Sequence, residues 1–265
     1  MGGLHNLLKT FFDVEDMMSV FPTLITVGLW NTLQLSVLAM LFAVICGLML
    51  SLVLVSRSWF IRMPAFLYVD LFRGLPAILT ILLVGQGLPI AGIAPFGRSP
   101  YPYAIMAIGL IQAAYFGEIF RSGIQSLDRS QMLAARSVGM TRRQAMWLII
   151  IPQAVRNVLP ASMNQFIIIV KETSLVYLLG LFTFQRELFS IAQDHAANVG
   201  NLSALVAAGI IYCAITVPLT HLVNYVDHRL REGPTLARQG EQAMAESGAD
   251  GSGWALESKA GRAER

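Results

Sequence analysis

The chain has 265 residues, of which 55% are hydrophobic and only 13% charged, and its mean hydropathy is +0.60. Soluble domains carry about 25% charged residues, so this depletion, with long apolar runs, defines an all-α integral membrane protein and excludes a barrel, whose short alternating segments are missing. The pI near 9.0 reflects a net charge of only +3, and arginines set between apolar runs follow membrane topology, so no nucleic-acid partner is expected.

Residues 1–24, beginning "MGGLHNLLKTFFDVEDMM", lack the basic-then-apolar order of a cleaved signal peptide. The sixth position is not the Ser or Thr of a myristoylation site. They are expected to form an N-terminal extracytoplasmic segment. A membrane span needs about 20 apolar residues, and five candidates follow at 27–55, 64–90, 101–121, 158–182 and 202–226. Cys46 and Cys213 lie inside apolar runs and read as small buried hydrophobes, not as a disulfide framework.

In the second candidate span, Asp70 and Arg73 stand three apart near the cytoplasmic end, and "RGLP" (73–76) offers Gly and Pro where a helix could break. Glu118 and Arg121 repeat the spacing near the cytoplasmic end of the third. For all four a structural role, as local pair or interfacial anchor, is favoured over a place in a solute path.

The polar stretch 122–157 interrupts the apolar pattern. "SLDRSQMLAARSVG" is compatible with a helix that stops at Gly139, a natural left-handed residue, with Met132, Ala135 and Val138 on one face. Thr141 and Gln144 then form a capping box for a second helix that runs to Pro152. Two readings stay open from the residues alone: an amphipathic loop lying on headgroups, held by Arg136, Arg142 and Arg143, or a docking element for a partner.

The fourth candidate span carries Lys171 and Glu172. If it starts between Arg156 and Pro160, Lys171 lies about 17–22 Å along it, near the middle of a core about 30 Å thick. A charge there costs about 2.5–3.5 kcal/mol and faces a bundle interior or water. Adjacent helical residues diverge, so Lys171 and Glu172 point to different sides. Asn164 with Lys171, and Gln165 with Glu172, give the span two polar faces. Lys171, Glu172, Thr173, Ser174 and Gln165 are candidates for a translocation path, with interhelical pairing as the alternative. Ser190, Asp194 and His195 in the segment 183–201 read as solvated loop, not as a triad. The tail 231–265, rich in Gly, Ala, Ser and Glu, has no apolar periodicity and is expected to be disordered.

Counting Lys and Arg in the loops, one side holds Arg57, Arg62, Arg121, Arg129, Arg136, Arg142, Arg143 and Arg156, and the other only Lys9, Arg98 and Arg186. This asymmetry puts loop 122–157 and the C-terminus in the cytoplasm and the N-terminus outside. Five spans make a small bundle, and lining a solute path would take two such subunits.

"LAARSVGMTRRQAMWLIIIP" resembles the loop motif of binding-protein-dependent ABC importer permeases: E-A-A, three residues, G, nine residues, I-x-L-P. Ala134, Ala135, Gly139, Ile149 and Pro152 fall in register, Ile151 stands for Leu, and Leu133 replaces the usual Glu. "YVDLFRGLP", "AAYFGEIFRSGIQSL", "QAVRNVLP" and "KETSLVYLLG" are similar to the polar amino-acid branch, over about 25–230. The resemblance implies a type I importer permease domain over 25–230 in a bacterial inner membrane. Loop 122–157 would then couple to a cytoplasmic ATPase dimer through Leu133, Ala134, Ala135, Gly139, Met140 and Pro152. It further implies a second permease subunit, identical or homologous, and an external amino-acid-binding protein. The solute would be glutamate or aspartate, glutamine or a basic amino acid. The Leu133 departure puts in question whatever polar contact the usual glutamate makes with the ATPase.

No G-x-x-x-x-G-K-[S/T] occurs, so ATP and Mg²⁺ are expected on the partner ATPase and no cofactor on this chain; H-E-x-x-H and G-x-S-x-G are missing too. His5, His221 and His228 form no metal pattern. An ion-gradient-driven transporter coupled through Lys171 or Glu172 is the competing reading. It requires inverted repeats, which the chain does not show, and leaves the loop motif unexplained. An intramembrane enzyme lacks a nucleophile–base pair.

Overall fold

The computed structural model describes residues 2–127 and 129–232, and the regular structure in them is helical. α1 (Gly2–Phe11) and α2 (Val14–Thr23) meet at Asp13, whose carboxylate caps α2 by accepting the Asp16 amide at 3.3 Å. Pro22 has no amide hydrogen to give, and a π-helical turn (Leu24–Leu29) follows it into α3 (Trp30–Leu54). α4 (Trp59–Gly74) ends because Pro76 forces Leu75 into an extended conformation (φ −81°, ψ 140°). α5 (Ala77–Leu82) and α6 (Leu88–Ile90) continue in a new direction, joined by a second π-helical turn. Then come α7 (Pro100–Gln125), α8 (Arg129–Ser137), α9 (Arg142–Ala145), α10 (Ile151–Glu172), α11 (Leu188–Val199) and α12 (Ser203–Glu232).

α3 and α7 form the centre of the bundle, and small residues set their distance. A Cβ on Gly47 would lie 2.5 Å from the Phe116 Cβ, while Gly109 receives the Phe42 ring and Gly117 the Leu50 side chain. Such close approach is how helices associate in lipid, where the surroundings are as apolar as the helices. The central core gathers Leu35, Ile81, Ile108, Phe116, Ile169 and Val176. A second core, built from Val20, Leu24, Leu188, Ala192, Ala204 and Ala208, joins α2, the first π turn, α11 and α12.

Among the described residues, three helical runs are long and apolar enough to cross a membrane: Asn6–Leu54, Pro100–Gln125 and Ser203–Leu230. The α4 and α5–α6 arms would make a fourth, but they meet at 107°. The expected span 64–90 is therefore not one straight helix: it bends at the Gly and Pro of "RGLP". α10, which occupies most of the expected span 158–182, does not meet the same criterion. Asn164, Gln165, Lys171 and Glu172 make it too polar, and it tightens into a 3₁₀ turn (Thr173–Leu179) closed by Gly180 at φ +68°. One segment is more ordered than expected: 188–199 is α11 in place of a solvated loop. Within the expected extracytoplasmic segment 1–24 lie α1 and α2, which lead into the run that continues as α3. Of the expected disordered tail 231–265, residues 231 and 232 end α12 and the rest lies outside the described residues.

Candidate functional site

Two constellations carry the expected site residues. The first is the α8–α9 hairpin. α8 closes in a paired turn: the Gly139 amide donates to the Arg136 carbonyl at 3.1 Å and the Met140 amide to the Ala135 carbonyl at 3.2 Å. This geometry needs a left-handed residue, which Gly139 supplies at φ +88°. The capping box is then made in full: Gln144 N–H donates to Thr141 Oγ1 at 3.2 Å and Thr141 N–H donates to Gln144 Oε1 at 2.9 Å. The helix is shorter than the stretch 126–139 expected of it. Ala135 is buried and Met132 half-buried, but Val138 is exposed, because α8 ends at Ser137 and the left-handed turn carries Val138 away from the shared face.

Leu133 is 68% exposed, Ala134 and Pro152 are exposed, and Met140 is half-buried. Arg136, Arg142, Arg143 and Arg156 are exposed as well, and no Asp or Glu occurs from 129 to 171. The hairpin therefore presents an outward surface that is basic, with isolated apolar points, on a backbone fixed at its turn.

The second constellation lies inside the bundle. Gln112, fully buried on α7, donates from Nε2 to Glu172 Oε2 at 2.6 Å and accepts at Oε1 from Gln165 Nε2. One carboxamide thus joins two residues of α10 that stand two turns apart on the same face. Asn164 and Lys171 lie on the other face, both exposed. Thr173 is buried and returns its hydroxyl to the Val170 carbonyl at 2.8 Å, while Ser174 donates to the Lys171 carbonyl at 2.7 Å. The two polar faces expected of this segment are present. The residue that sequence reasoning did not nominate is Gln112, although a single amide within "GLIQAAYFG" has to find a partner.

Glu118 and Arg121 form the expected pair, with Arg121 Nη2 2.7 Å from Glu118 Oε2 and Nε donating as well. Asp70 and Arg73 do not. Asp70 is exposed, and the Arg73 guanidinium sits 5.3 Å over the Tyr115 ring of α7. At the opposite end of the molecule Glu187, 1% exposed, caps α11 by accepting from the Phe189 and Ser190 amides and the Ser190 hydroxyl at 2.6 Å each, and from Tyr212 at 3.0 Å. Burial pushes its carboxyl above the usual carboxylate range, against these hydrogen bonds. Thr32 Oγ1 accepts the Leu188 amide at 3.1 Å, and Asn31 donates to the carbonyls of Phe184 and Arg186 at 2.9 Å. Ser190 is thus engaged by Glu187, while His195 pairs with Asp16 at 2.8 Å and Asp194 with Arg186 at 2.8 Å, so these residues form no triad.

A helical bundle with several membrane-length apolar helices and a polar network inside it is the architecture of a multi-pass membrane protein, and residues 39–232 match the family described as binding-protein-dependent transport system inner membrane component. The chain belongs to that family. It is 38% identical over 206 residues to the probable amino-acid permease protein YxeN of Bacillus subtilis, covering 77% of this chain and 90% of that one. It is 33% identical over 227 residues to the glutamate/aspartate import permease protein GltK of Escherichia coli O6:H1, covering 82% and 98%. Among solved structures, one described as an amino acid ABC transporter with histidines superposes with a TM-score of 0.71 at 32% identity, over 82% of this chain and 98% of that one.

Proposed function

We propose that this inner-membrane permease carries a polar amino acid, in five spans (27–55, 64–90, 101–121, 158–182 and 202–226) with its N-terminus outside and its C-terminus in the cytoplasm. The observation that carries the reading is the α8–α9 hairpin. Its turn is fixed by Gly139 and the Thr141–Gln144 box, while Leu133, Ala134 and the arginines stay exposed. A rigid, exposed element of this kind suits a lever that a separate cytoplasmic ATPase dimer grips. ATP and Mg²⁺ belong to that ATPase, and this chain contributes no cofactor site. Closure of the ATPase draws two such hairpins together, one from each permease subunit, and the paired bundles open outward to accept solute from an external binding protein. Hydrolysis resets them.

Within the bundle, Glu172 held by Gln112 and the unpaired Lys171 on the other face of α10 give the path one group of each sign. The substrate class follows from the relatives, whose names specify amino acids and in one case glutamate and aspartate. Reconstituted vesicles test the reading: uptake is expected to require the ATPase, ATP and the binding protein together. Transport by this chain alone under an ion gradient would overturn it.

A further inference from the structure

On the proposed topology, which this inference rests on, the corner between α3 and α4 lies at the cytoplasmic face, between the spans 27–55 and 64–90. α3 ends where the Ser56 amide turns back to the Val53 carbonyl at 3.0 Å, and only Ser56–Ser58 separate its C-cap, Val55, from Trp59 at the start of α4. Arg57 and Arg62 stand at this corner, and neither is in an ion pair among the described residues. No Asp or Glu occurs from 17 to 69. Asp70 lies eight residues beyond Arg62, about 12 Å along α4 at 1.5 Å per residue. Arg57 is exposed. The Arg62 guanidinium sits 5.5 Å over the Phe66 ring, one turn further along α4, and its Nε is buried with no hydrogen-bond partner. Among the described residues no protein group accepts a hydrogen bond from either guanidinium.

We propose that this corner binds the phosphate headgroup of an anionic phospholipid of the cytoplasmic leaflet. The bias of arginines towards the cytoplasm accounts for the side on which Arg57 and Arg62 lie. It does not account for a guanidinium held on an aromatic ring with nothing to accept its hydrogens. Phosphate is the anion that this planar fork of N–H donors fits. The surroundings favour a lipid as its source. Trp59, Phe60, Ile61 and Met63 are all exposed, Phe60 at 82%, and Trp59 and Phe60 meet edge to face with ring centroids 5.6 Å apart. A soluble anion gains nothing from such a rim, whereas a lipid lays its glycerol and upper acyl carbons against it, at the level where aromatic belts form. Each arginine near an anionic leaflet is worth about fivefold in affinity. The pair therefore sets a preference for anionic over zwitterionic lipids that fit the apolar rim equally well.

The test uses the assembled transporter in detergent and brominated lipids that quench Trp59, whose fluorescence is isolated by subtracting the matching Trp59→Phe protein. Brominated phosphatidylglycerol is expected to quench at a mole fraction about tenfold or more below that of brominated phosphatidylcholine. Arg57→Gln and Arg62→Gln should each cut this preference about fivefold, and together abolish it. Arg98→Gln removes an exposed arginine that the topology puts on the other side, and should keep the preference within about twofold. Equal quenching of the parent by the two lipids would overturn the proposal, and so would a preference that survives the double variant. Release of phosphatidylglycerol by inorganic phosphate, at an ionic strength matched with chloride, would overturn it by giving the pair to a soluble anion. Loss of the ATPase or of permease pairing from the double variant would overturn it by giving the arginines to a protein partner. Failure of the topology reads differently. In a background carrying Cys46→Ala and Cys213→Ala, labelling of Ser58→Cys by a membrane-impermeant maleimide in intact cells would overturn the topology and with it the leaflet, a result to which quenching in detergent is indifferent.

Discussion

Gln112 uses both ends of one carboxamide, so its loss leaves the buried Gln165 and the half-buried Glu172 without their partner. Gln112→Leu is expected to cost about 1–3 kcal/mol, seen as a lower unfolding temperature of the purified permease. Glu172→Gln keeps an acceptor for Gln112 and should cost less. A changed KM for uptake with normal ATPase assembly would place Glu172 in the path, and unchanged kinetics would make it structural. Glu187 gives a pH dependence. With its carboxyl raised above the ordinary 4.5, the native state keeps a proton that the unfolded chain has already lost. Its contribution is complete below pH 4.5 and falls as the pH rises through the raised value. Glu187→Gln removes that titration, so the gap in unfolding temperature between parent and variant should close as the pH climbs from 4.5 towards neutrality; parallel curves would count against it. The pairing of Gln165 with Glu172 on one face was legible in their spacing of seven. Gln112 was not, because its partners lie 53 and 60 residues away. Nor does spacing alone decide an ion pair. Asp70–Arg73 and Glu118–Arg121 share it, yet Tyr115 lies within reach of Arg73 and takes the guanidinium.

Among the elements, the hairpin turn and the α3–α7 seam both depend on glycine, for different reasons. At Gly139 a Cβ would meet nothing within 4 Å, so the requirement is for the left-handed backbone alone. Gly139→Ala should therefore cost about 1–2 kcal/mol, felt locally as less uptake per ATP hydrolysed, while Gly139→Asn, which tolerates that conformation, should retain more activity. At Gly47 the backbone is ordinary helix and the obstacle is the Phe116 Cβ at 2.5 Å. Gly47→Ala must push two helices apart, at about 1–3 kcal/mol, read as lower thermal stability of the whole bundle. Leu133 behaves differently again. Being 68% exposed, its replacement by Glu should change stability by no more than about 0.5 kcal/mol, so any change in co-purification with the ATPase reports on the interface itself. The hairpin was readable because caps and turns rest on residues three to five apart. α11 was missed because its polar composition outweighed a visible signal, Leu188, Ala192 and Ala196 at intervals of four, which the structure buries against α2 and α12.

For the whole molecule, composition identifies a membrane protein but does not say which helices cross. Three runs are apolar enough to insert alone, and a fourth is bent. α10 is neither, and of its polar groups only Gln165 and Glu172 are received by Gln112 of α7, while Asn164 and Lys171 stay exposed on the other face. On the proposed topology its crossing is a property of the assembled bundle, and that topology stands or falls on it. The test can be confined to this helix. Arg143 and Asn198 are both exposed, and between them the chain has the π turn Met146–Ile150, α10 with its 3₁₀ continuation, a short 3₁₀ turn at Thr183–Gln185 and α11 almost to its end. In a background carrying Cys46→Ala and Cys213→Ala, a membrane-impermeant maleimide should label Asn198→Cys in intact cells, and Arg143→Cys only after the membrane is opened. Labelling of both from outside would mean that α10 returns to the side it came from. The reverse pattern would invert the bundle and move the basic hairpin away from any cytoplasmic ATPase. If the expected pattern appears, a helix too polar to cross unaided does cross, because α7 carries the partners for its buried polar face.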